Sequence, residues 1–478
     1  MQEKKYDVIV IGCGSGGLSV GLGMNALGFN VLMIAKNERD IGGECLNDGC
    51  IPSKAMIHIA EIIYQAKQSK KFGLDLTGDV DPKAIVTYIK DAQKSIKDHE
   101  NSAWLKNQGV DVLLGEAFFL NSATVSVNGL EVTAEKIVLA TGSAPVRLKV
   151  LGIEKALYYD NESIFNLPNI PKKLLVVGSG PIGIEIGQTM ARLGSQVTVV
   201  SRSKQILPHE EEEIASILQK QLEKEGIRFH FGAEIEKISS EEKAIVKFSN
   251  DEFKYVPYDA LFVAIGRELC FDSLKLEDAG IKIKDKKVVV NEYLQTTAKN
   301  IYVCGDIAGD LYFSHAAEFH ARIIINNFLS PFKKKLDNKH FSWVTFTKPE
   351  IATFGYSQKQ MEEKSISYDV NTQDFKEDDR ALTDGYTYGK LLLYASKKNI
   401  FGKQKILGGC MVAPSAGEMI QELILANAQG LSINTLFNKI YPYPTASRVN
   451  QSAIVKYRSK NITTQVKRLL KMAFKLFG

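Results

Sequence analysis

One arrangement of apolar and polar positions is written twice along the chain. Residues 6–36 read YDVIVIGCGSGGLSVGLGMNALGFNVLMIAK and residues 173–202 read KLLVVGSGPIGIEIGQTMARLGSQVTVVSR. Each copy opens on a β-branched-rich run, turns through G-x-G-x-x-G, continues at helical spacing and closes on a second apolar run. That order predicts a strand, a tight turn, a helix and a second strand. An offset of 166 (178 − 12) maps Gly12, Gly14 and Gly17 onto Gly178, Gly180 and Gly183, and carries Met24 onto Met190 and Val31 onto Val197. The runs 137–142 (IVLATG) and 261–266 (LFVAIG) predict a later strand for each copy, and 301–306 (IYVCGD) a third glycine turn. From about Phe341 the pattern changes to alternating strand-like segments, then a helix-like stretch over Gly417–Gln429, which marks a separate C-terminal domain.

The duplicated units have the Rossmann βαβ fingerprint in its structural context. The first glycine makes the turn, the second lets the backbone approach a pyrophosphate, and the third permits close packing of helix on strand. The helix N-terminus then faces the phosphates with unpaired N–H groups. At 478 residues the chain has room for about three domains. The expected fold is α/β: a nucleotide-binding domain over residues 1–150 and 286–338, a second over 151–285, and an α+β domain over 339–478.

Composition narrows the function classes. With 45% hydrophobic and 24% charged residues the chain is an ordinary globular one, which excludes disorder and collagen-like repeats. A net charge of +5, from 60 basic and 55 acidic residues, is too balanced for a nucleic-acid binder. The 28 residues Val8–Ala35 carry no charge, yet seven are glycine and Asn25 and Asn30 interrupt them, so a soluble strand–helix–strand explains them better than a membrane span. Neither a signal peptide nor a disulfide framework is expected, and the six cysteines suit a reducing compartment, the cytoplasm.

Two of those cysteines share one motif, Gly42-Gly-Glu-Cys45-Leu-Asn-Asp-Gly-Cys50-Ile-Pro-Ser-Lys54. Residues five apart in an ideal helix have Cα atoms roughly 8–9 Å apart, and a disulfide needs less than about 7 Å. If the two pair, the backbone between them is distorted, and Gly49 permits that. A metal site would need further ligands, and the only histidine nearby is His58.

This motif is similar to the active site of the FAD-dependent pyridine nucleotide–disulfide oxidoreductases, a family that includes dihydrolipoamide dehydrogenase, glutathione reductase and mercuric reductase. Ala140-Thr-Gly142, Ala264-Ile-Gly-Arg267 and Gly305-Asp306 resemble further signatures of that family, and residues 346–350 and 406–418 resemble its C-terminal dimerisation domain. The resemblance covers nearly the whole chain. It implies an enzyme that passes electrons from NAD(P)H through FAD to a Cys45–Cys50 disulfide and on to an acceptor: a disulfide, a metal ion or a quinone. It implies that Gly12, Gly14 and Gly17 hold the FAD pyrophosphate and that Asp306 accepts from its ribityl chain. Thr141, Gly142, Gly305, Gly266 and Arg267 join the cofactor sites, with Gly178, Gly180 and Gly183 taking the nicotinamide nucleotide. Cys50 lies against the flavin, Cys45 meets substrate, and Lys54 pairs with Glu185. Two alternatives keep the fold: a reductase that uses the flavin directly, and a flavoprotein that senses redox state.

Three features depart from the family pattern. The strand that ordinarily ends in an acid for the FAD ribose ends here in Ala35. The matching strand of the second copy ends Ser201-Arg202-Ser203-Lys204, which favours the 2′-phosphate of NADPH, with NADH as the alternative. Disulfide-reducing members carry a histidine and a glutamate near the C-terminus; Tyr443 and Arg448 stand in those places, and every histidine lies at or before His340. A phenol donates a proton but is a poor base near neutrality. The resemblance also implies a homodimer in which Tyr443 completes the partner's site.

Outside these motifs, Glu210–Glu213 read as the first turn of a helix, His315 and His320 as helix packing, and Cys13, Cys270, Cys304 and Cys410 as structural. The final segment, TTQVKRLLKMAFKLFG, sets Val466, Leu469, Leu470, Ala473 and Phe477 on one helical face and Lys467, Arg468, Lys471 and Lys475 on the other. Such a helix either docks on the dimer, the more ordinary use, or makes a peripheral contact with an anionic membrane.

Overall fold

The computed structural model describes residues 4–239, 243–398, 403–460 and 462–477. Its contacts divide the chain into two compact units, one of residues 1–178, 192–200 and 234–336, the other of residues 179–191, 201–233 and 337–478.

The first unit is built on β1 (Lys4–Ile11), α1 (Ser15–Ala26) and β2 (Val31–Ala35). β1 and β2 are parallel, with Val8 opposite Val31 and Ile11 opposite Ile34. Both are fully apolar at their centres because the sheet is covered on both faces, the burial that parallel strands require. The motif helices follow as α2 (Gly43–Asn47) and α3 (Cys50–Gln68). With β3 (Asp111–Leu114), β4 (Ala117–Phe119), β5 (Thr124–Val127) and β6 (Leu130–Leu139), the strand order is β3-β2-β1-β6-β5-β4, and the strand Ile301–Val303 pairs with β6. Residues 137–142 and 301–306 thus emerge side by side, with Ile137 opposite Ile301. A second parallel set in this unit runs Gln196–Ser201, Lys173–Val177, Ala260–Val263, Tyr158–Tyr159. Both expected strand–turn–helix–strand units are therefore present.

The second unit carries a five-stranded antiparallel sheet in the order Ser342–Thr345, Glu350–Gly355, Ile406–Ala413, Lys390–Ser396, Tyr368–Asp374. The helix-like stretch near residue 420 is two short helices, Ala416–Met419 and Gln421–Ala428. One expectation needs correction here. The helix after the acid run starts at Glu212, and Glu210 lies before it, buried. Its carboxylate accepts from Trp343 Nε1 at 2.6 Å and Thr353 Oγ1 at 2.5 Å, with Cys410 Sγ at 3.6 Å. At Glu210 a hydrogen-bonded carboxylate at the sheet thus replaces the expected helix turn, while Glu212 and Glu213 stand in the first turn as expected.

Candidate active site

The local backbone explains how the two motif cysteines approach one another. α2 ends at Asn47, Asp48 and Gly49 break the helix, and Cys50 starts α3. A Cβ on Gly49 would lie 2.9 Å from the Glu44 carbonyl oxygen, so the doubling-back of the chain leaves room only for hydrogen there. Cys45 and Cys50 are both free thiols, and their side chains are hydrogen-bonded to each other. That bond, followed by burial, pushes the Cys45 thiol up, while Ser314 and Ser15 pull it the other way. Cys50 Sγ also lies 3.4 Å from Ser314 Oγ. Lys54 is half-buried, four residues along α3 from Cys50 and so on the same helical face.

Beside the thiols runs a charged network that the sequence did not announce. Arg267 forms a two-pronged ion pair with Glu44, Nη1 to Oε1 at 2.6 Å and Nη2 to Oε2. Its Nε donates to Ser143 Oγ at 2.7 Å and its Nη2 to the Ser143 carbonyl at 2.9 Å. Ser143 Oγ in turn donates to Asp306 at 2.5 Å, and Asn161 Nδ2 donates to Glu44 at 2.6 Å. Burial raises both acids, Glu44 against the pull of Arg267 and Asp306 against Ser143 and Arg267. Expected site residues Arg267 and Asp306 are thereby joined to the redox motif through Glu44 and Ser143. The available signal was an acid next to Cys45 and a hydroxyl next to Gly142. Thr141 Oγ1 donates to the Cys270 carbonyl at 2.5 Å, closing the same corner.

The glycine turns fit a dinucleotide. Gly12 has φ +105°, and a Cβ there would sit 2.2 Å from the Ala140 carbonyl oxygen; Gly178, at +110°, would meet the Ala264 carbonyl at the same distance. The duplicated turn thus crosses a duplicated strand in the same way. α1 begins without a side-chain cap and without an acid in its first turn, which leaves its leading N–H groups for an anion. At the third turn His320 is fully buried, and its Nδ1 accepts the Gly305 N–H at 3.2 Å. Its Nε2 is buried without a partner among the described residues. Ala35 ends β2 buried, and Lys36 pairs with Glu116 at 2.6 Å.

The remaining candidates lie in the second unit. Gly183 lies within the helix Pro181–Leu193, which starts just after Gly180; a Cβ on Gly180 would meet nothing within 4 Å. The Ser201 hydroxyl is 2.7 Å from that of Ser179 and accepts the Ser203 N–H at 3.2 Å, and Arg202 is exposed between them in sequence. Glu185 accepts the Phe346 N–H at 2.8 Å. Tyr443 is exposed, donates to Asp379 at 3.1 Å and lies under the Arg448 guanidinium, 5.1 Å from the ring centroid. The hydrogen bond to Asp379 raises its phenol, so it keeps its proton. Among the described residues no group of three or more His, Cys, Asp and Glu gathers in a way that could hold a metal ion.

Two nucleotide-binding turns, a pair of touching thiols between them in sequence, and an antiparallel C-terminal sheet define the flavin-linked, pyridine-nucleotide-dependent reductases as a class. The comparisons agree: residues 6–321 match the pyridine nucleotide-disulphide oxidoreductase model and residues 341–454 match that family's dimerisation domain, and the chain belongs to this family. It is 33% identical to a mercuric reductase of Lysinibacillus sphaericus, over 93% of this chain and 81% of that one. It is 32% identical to a dihydrolipoyl dehydrogenase of Thermus scotoductus, over 93% and 95%. Among solved structures it is similar to a Cu(II) complex of the HOCl-induced flavoprotein disulfide reductase RclA from Escherichia coli, with TM-score 0.83, 27% identity, and 95% and 99% of the two chains covered. The chain is thus an FAD-dependent NAD(P)H oxidoreductase with a disulfide redox centre. Among the described residues no helix is long and apolar enough to cross a membrane.

Proposed function

We propose that this enzyme uses NADPH and that its Cys45–Cys50 pair delivers electrons to a soft metal ion. FAD, when bound, supplies the two-electron relay between the nicotinamide and the cysteines. Gly12, Gly14 and Gly17 receive its pyrophosphate at the start of α1, with Thr141, Gly142, Gly305 and Asp306 beside it. Gly178, Gly180 and Gly183 take the second nucleotide, Gly266 and Arg267 border it, and Arg202 meets the 2′-phosphate. Lys54, four residues along α3 from Cys50, supplies a positive group on the Cys50 side of the pair, which favours thiolate. Two electrons and two protons open the Cys45–Cys50 disulfide to two thiols. The thiols then return both electrons to the acceptor, one divalent ion or two ions reduced by one electron each, as the S–S bond closes and both protons leave.

The observation that carries the acceptor class is Tyr443, a phenol held protonated by Asp379 where an imidazole would act as base. Exchange with an organic disulfide needs a base to take up and return protons, whereas soft ions bind thiolates directly. A relative named mercuric reductase and a flavoprotein disulfide reductase solved as a Cu(II) complex support the same class. The domains follow the boundaries 1–150 with 286–338, 151–285 and 339–478. The protein is read as a cytoplasmic homodimer, with its C-terminal helix available for peripheral membrane contact.

Anaerobic titration with NADPH, followed by a screen of acceptors, tests this. The first two electrons are expected to open the Cys45–Cys50 pair and to give a long-wavelength band from thiolate beside oxidised flavin, and two further electrons to bleach the flavin. Turnover with Cu(II) or Hg(II) is expected to exceed that with lipoamide or glutathione disulfide at least tenfold. Cys45→Ser removes the metal turnover and leaves flavin reduction. Lipoamide turnover equal to the metal rates overturns the acceptor class.

A further inference from the structure

We infer that the C-terminal helix is an anchor for anionic phospholipid surfaces, an extension that rests on the peripheral contact proposed above. The helix Thr464–Phe477 buries none of its residues on its own chain. Phe474, Leu476 and Phe477 are 78%, 77% and 89% exposed, and Leu469, Leu470 and Met472 each more than half. At roughly 100° per residue, the four basic side chains fall within an arc of about 100° and the apolar ones fill about 200° opposite. A helix serving a core shows a narrower apolar stripe with mixed charges behind it; this one has a broad, bulky apolar side and charge of a single sign.

Charge decides which partner fits. After Glu422 the chain carries nine Lys and Arg and no acidic residue. The tail of a second copy carries the same basic charge, so packing of tail on tail meets repulsion where an anionic bilayer offers attraction. At about 21 Å the helix is too short to span the roughly 30 Å hydrocarbon layer. It lies instead in the interface plane, with Leu470, Phe474 and Phe477 among the acyl chains and Lys467, Arg468, Lys471 and Lys475 at the phosphates.

The test is co-sedimentation of the FAD-loaded protein with phosphatidylcholine vesicles, with and without one third phosphatidylglycerol. The full chain is compared with a truncation after Asn461, with a variant in which Lys467, Arg468, Lys471 and Lys475 are Gln, and with Leu470→Gln/Phe474→Gln. Binding of the full chain to the anionic vesicles is expected to exceed that of all three variants at least tenfold, to be weak on pure phosphatidylcholine and to be released by high salt. All four proteins are expected to keep NADPH-driven flavin reduction, so loss of that activity in the full chain strikes the enzyme reading and not this one. Equal vesicle binding by the full and truncated chains, or none by either, overturns the inference. So does a truncation that halves the solution mass, because the helix then docks on a second copy.

Discussion

At the residue scale, specificity and site integrity rest on single charged groups with stated partners. Arg202 follows Ser201, whose hydroxyl is tied to Ser179 and to the Ser203 N–H. Its guanidinium is exposed and presented by a fixed strand end, the condition for pairing with a 2′-phosphate. Arg202→Ala is expected to raise KM for NADPH about tenfold or more, the worth of one charge-assisted contact, and to leave NADH nearly unchanged. A ratio of the two kcat/KM values equal to that of the parent removes the assignment. Glu44 makes the second case. Its carboxylate holds both prongs of Arg267 and the amide of Asn161, next to Cys45. Glu44→Ala leaves a mostly buried guanidinium with Ser143 and Asp306 alone, at a cost of about 3 kcal/mol, as for breaking one side of a buried pair. Chemical denaturation of the FAD-loaded protein measures it; Glu44→Gln, which keeps one acceptor, is expected to cost less. Equal stability of Glu44→Ala and parent would show that the network does not hold the redox loop.

At the scale of elements, Glu210 fastens the segment before the helix Glu212–Lys224 to the strands that carry Trp343, Thr353 and Cys410. Burial raises its carboxyl, against the hydrogen bonds it accepts. An acid that binds its proton more tightly folded than unfolded contributes stability that is fully present below its unfolded pKa of about 4.3 and is lost as pH rises through the folded value. Glu210→Gln retains an acceptor for Trp343 and cannot titrate. Its melting temperature relative to the parent is therefore expected to climb as pH rises above the unfolded value of about 4.3, and a difference constant with pH contradicts the assignment. This element also shows what sequence pattern reaches. The βαβ turns at Gly12 and Gly178 were legible because their glycine spacing and apolar runs are local, and the Cys45–Cys50 motif because its chemistry lies within six residues. Glu210 was misread because the side chains that hold it lie 133, 143 and 200 positions further on. Ser143 and Glu44 were passed over for the same reason: Arg267 reaches them only after the sheet has folded. Periodicity reports which face of an element is apolar; it carries no information about which distant polar group meets a buried one.

At the scale of the whole molecule, the redox pair and the region that matches a dimerisation domain fall in different units. The thiols, the Glu44–Arg267–Ser143–Asp306 network and the first glycine turn all belong to one unit, and the region matching the dimerisation domain, residues 341–454, belongs to the other. That second unit leaves Ile440 92%, Tyr443 66%, Leu425 59% and Leu382 56% exposed on the single chain. Apolar side chains this exposed, in a region that matches a dimerisation domain, are the first candidates for an interface with a second copy. A charge placed among them meets no counter-charge when the interface closes, so Ile440→Asp is expected to weaken the dimer at least a hundredfold, about 3 kcal/mol. Both cysteines and the charged network lie in the first unit, and the redox pair is expected to survive in the resulting monomer. Flavin reduction by NADPH in a stopped-flow mixer is then expected to stay within a few-fold of the parent. On the proposal that Tyr443 completes the partner's site, acceptor turnover is expected to fall with the dimer fraction measured by sedimentation. Raising the concentration of the variant restores both together, which separates dissociation from misfolding. A monomer that turns over metal ions at the parent's rate would mean that each chain completes its own site and that Tyr443 has no part in it.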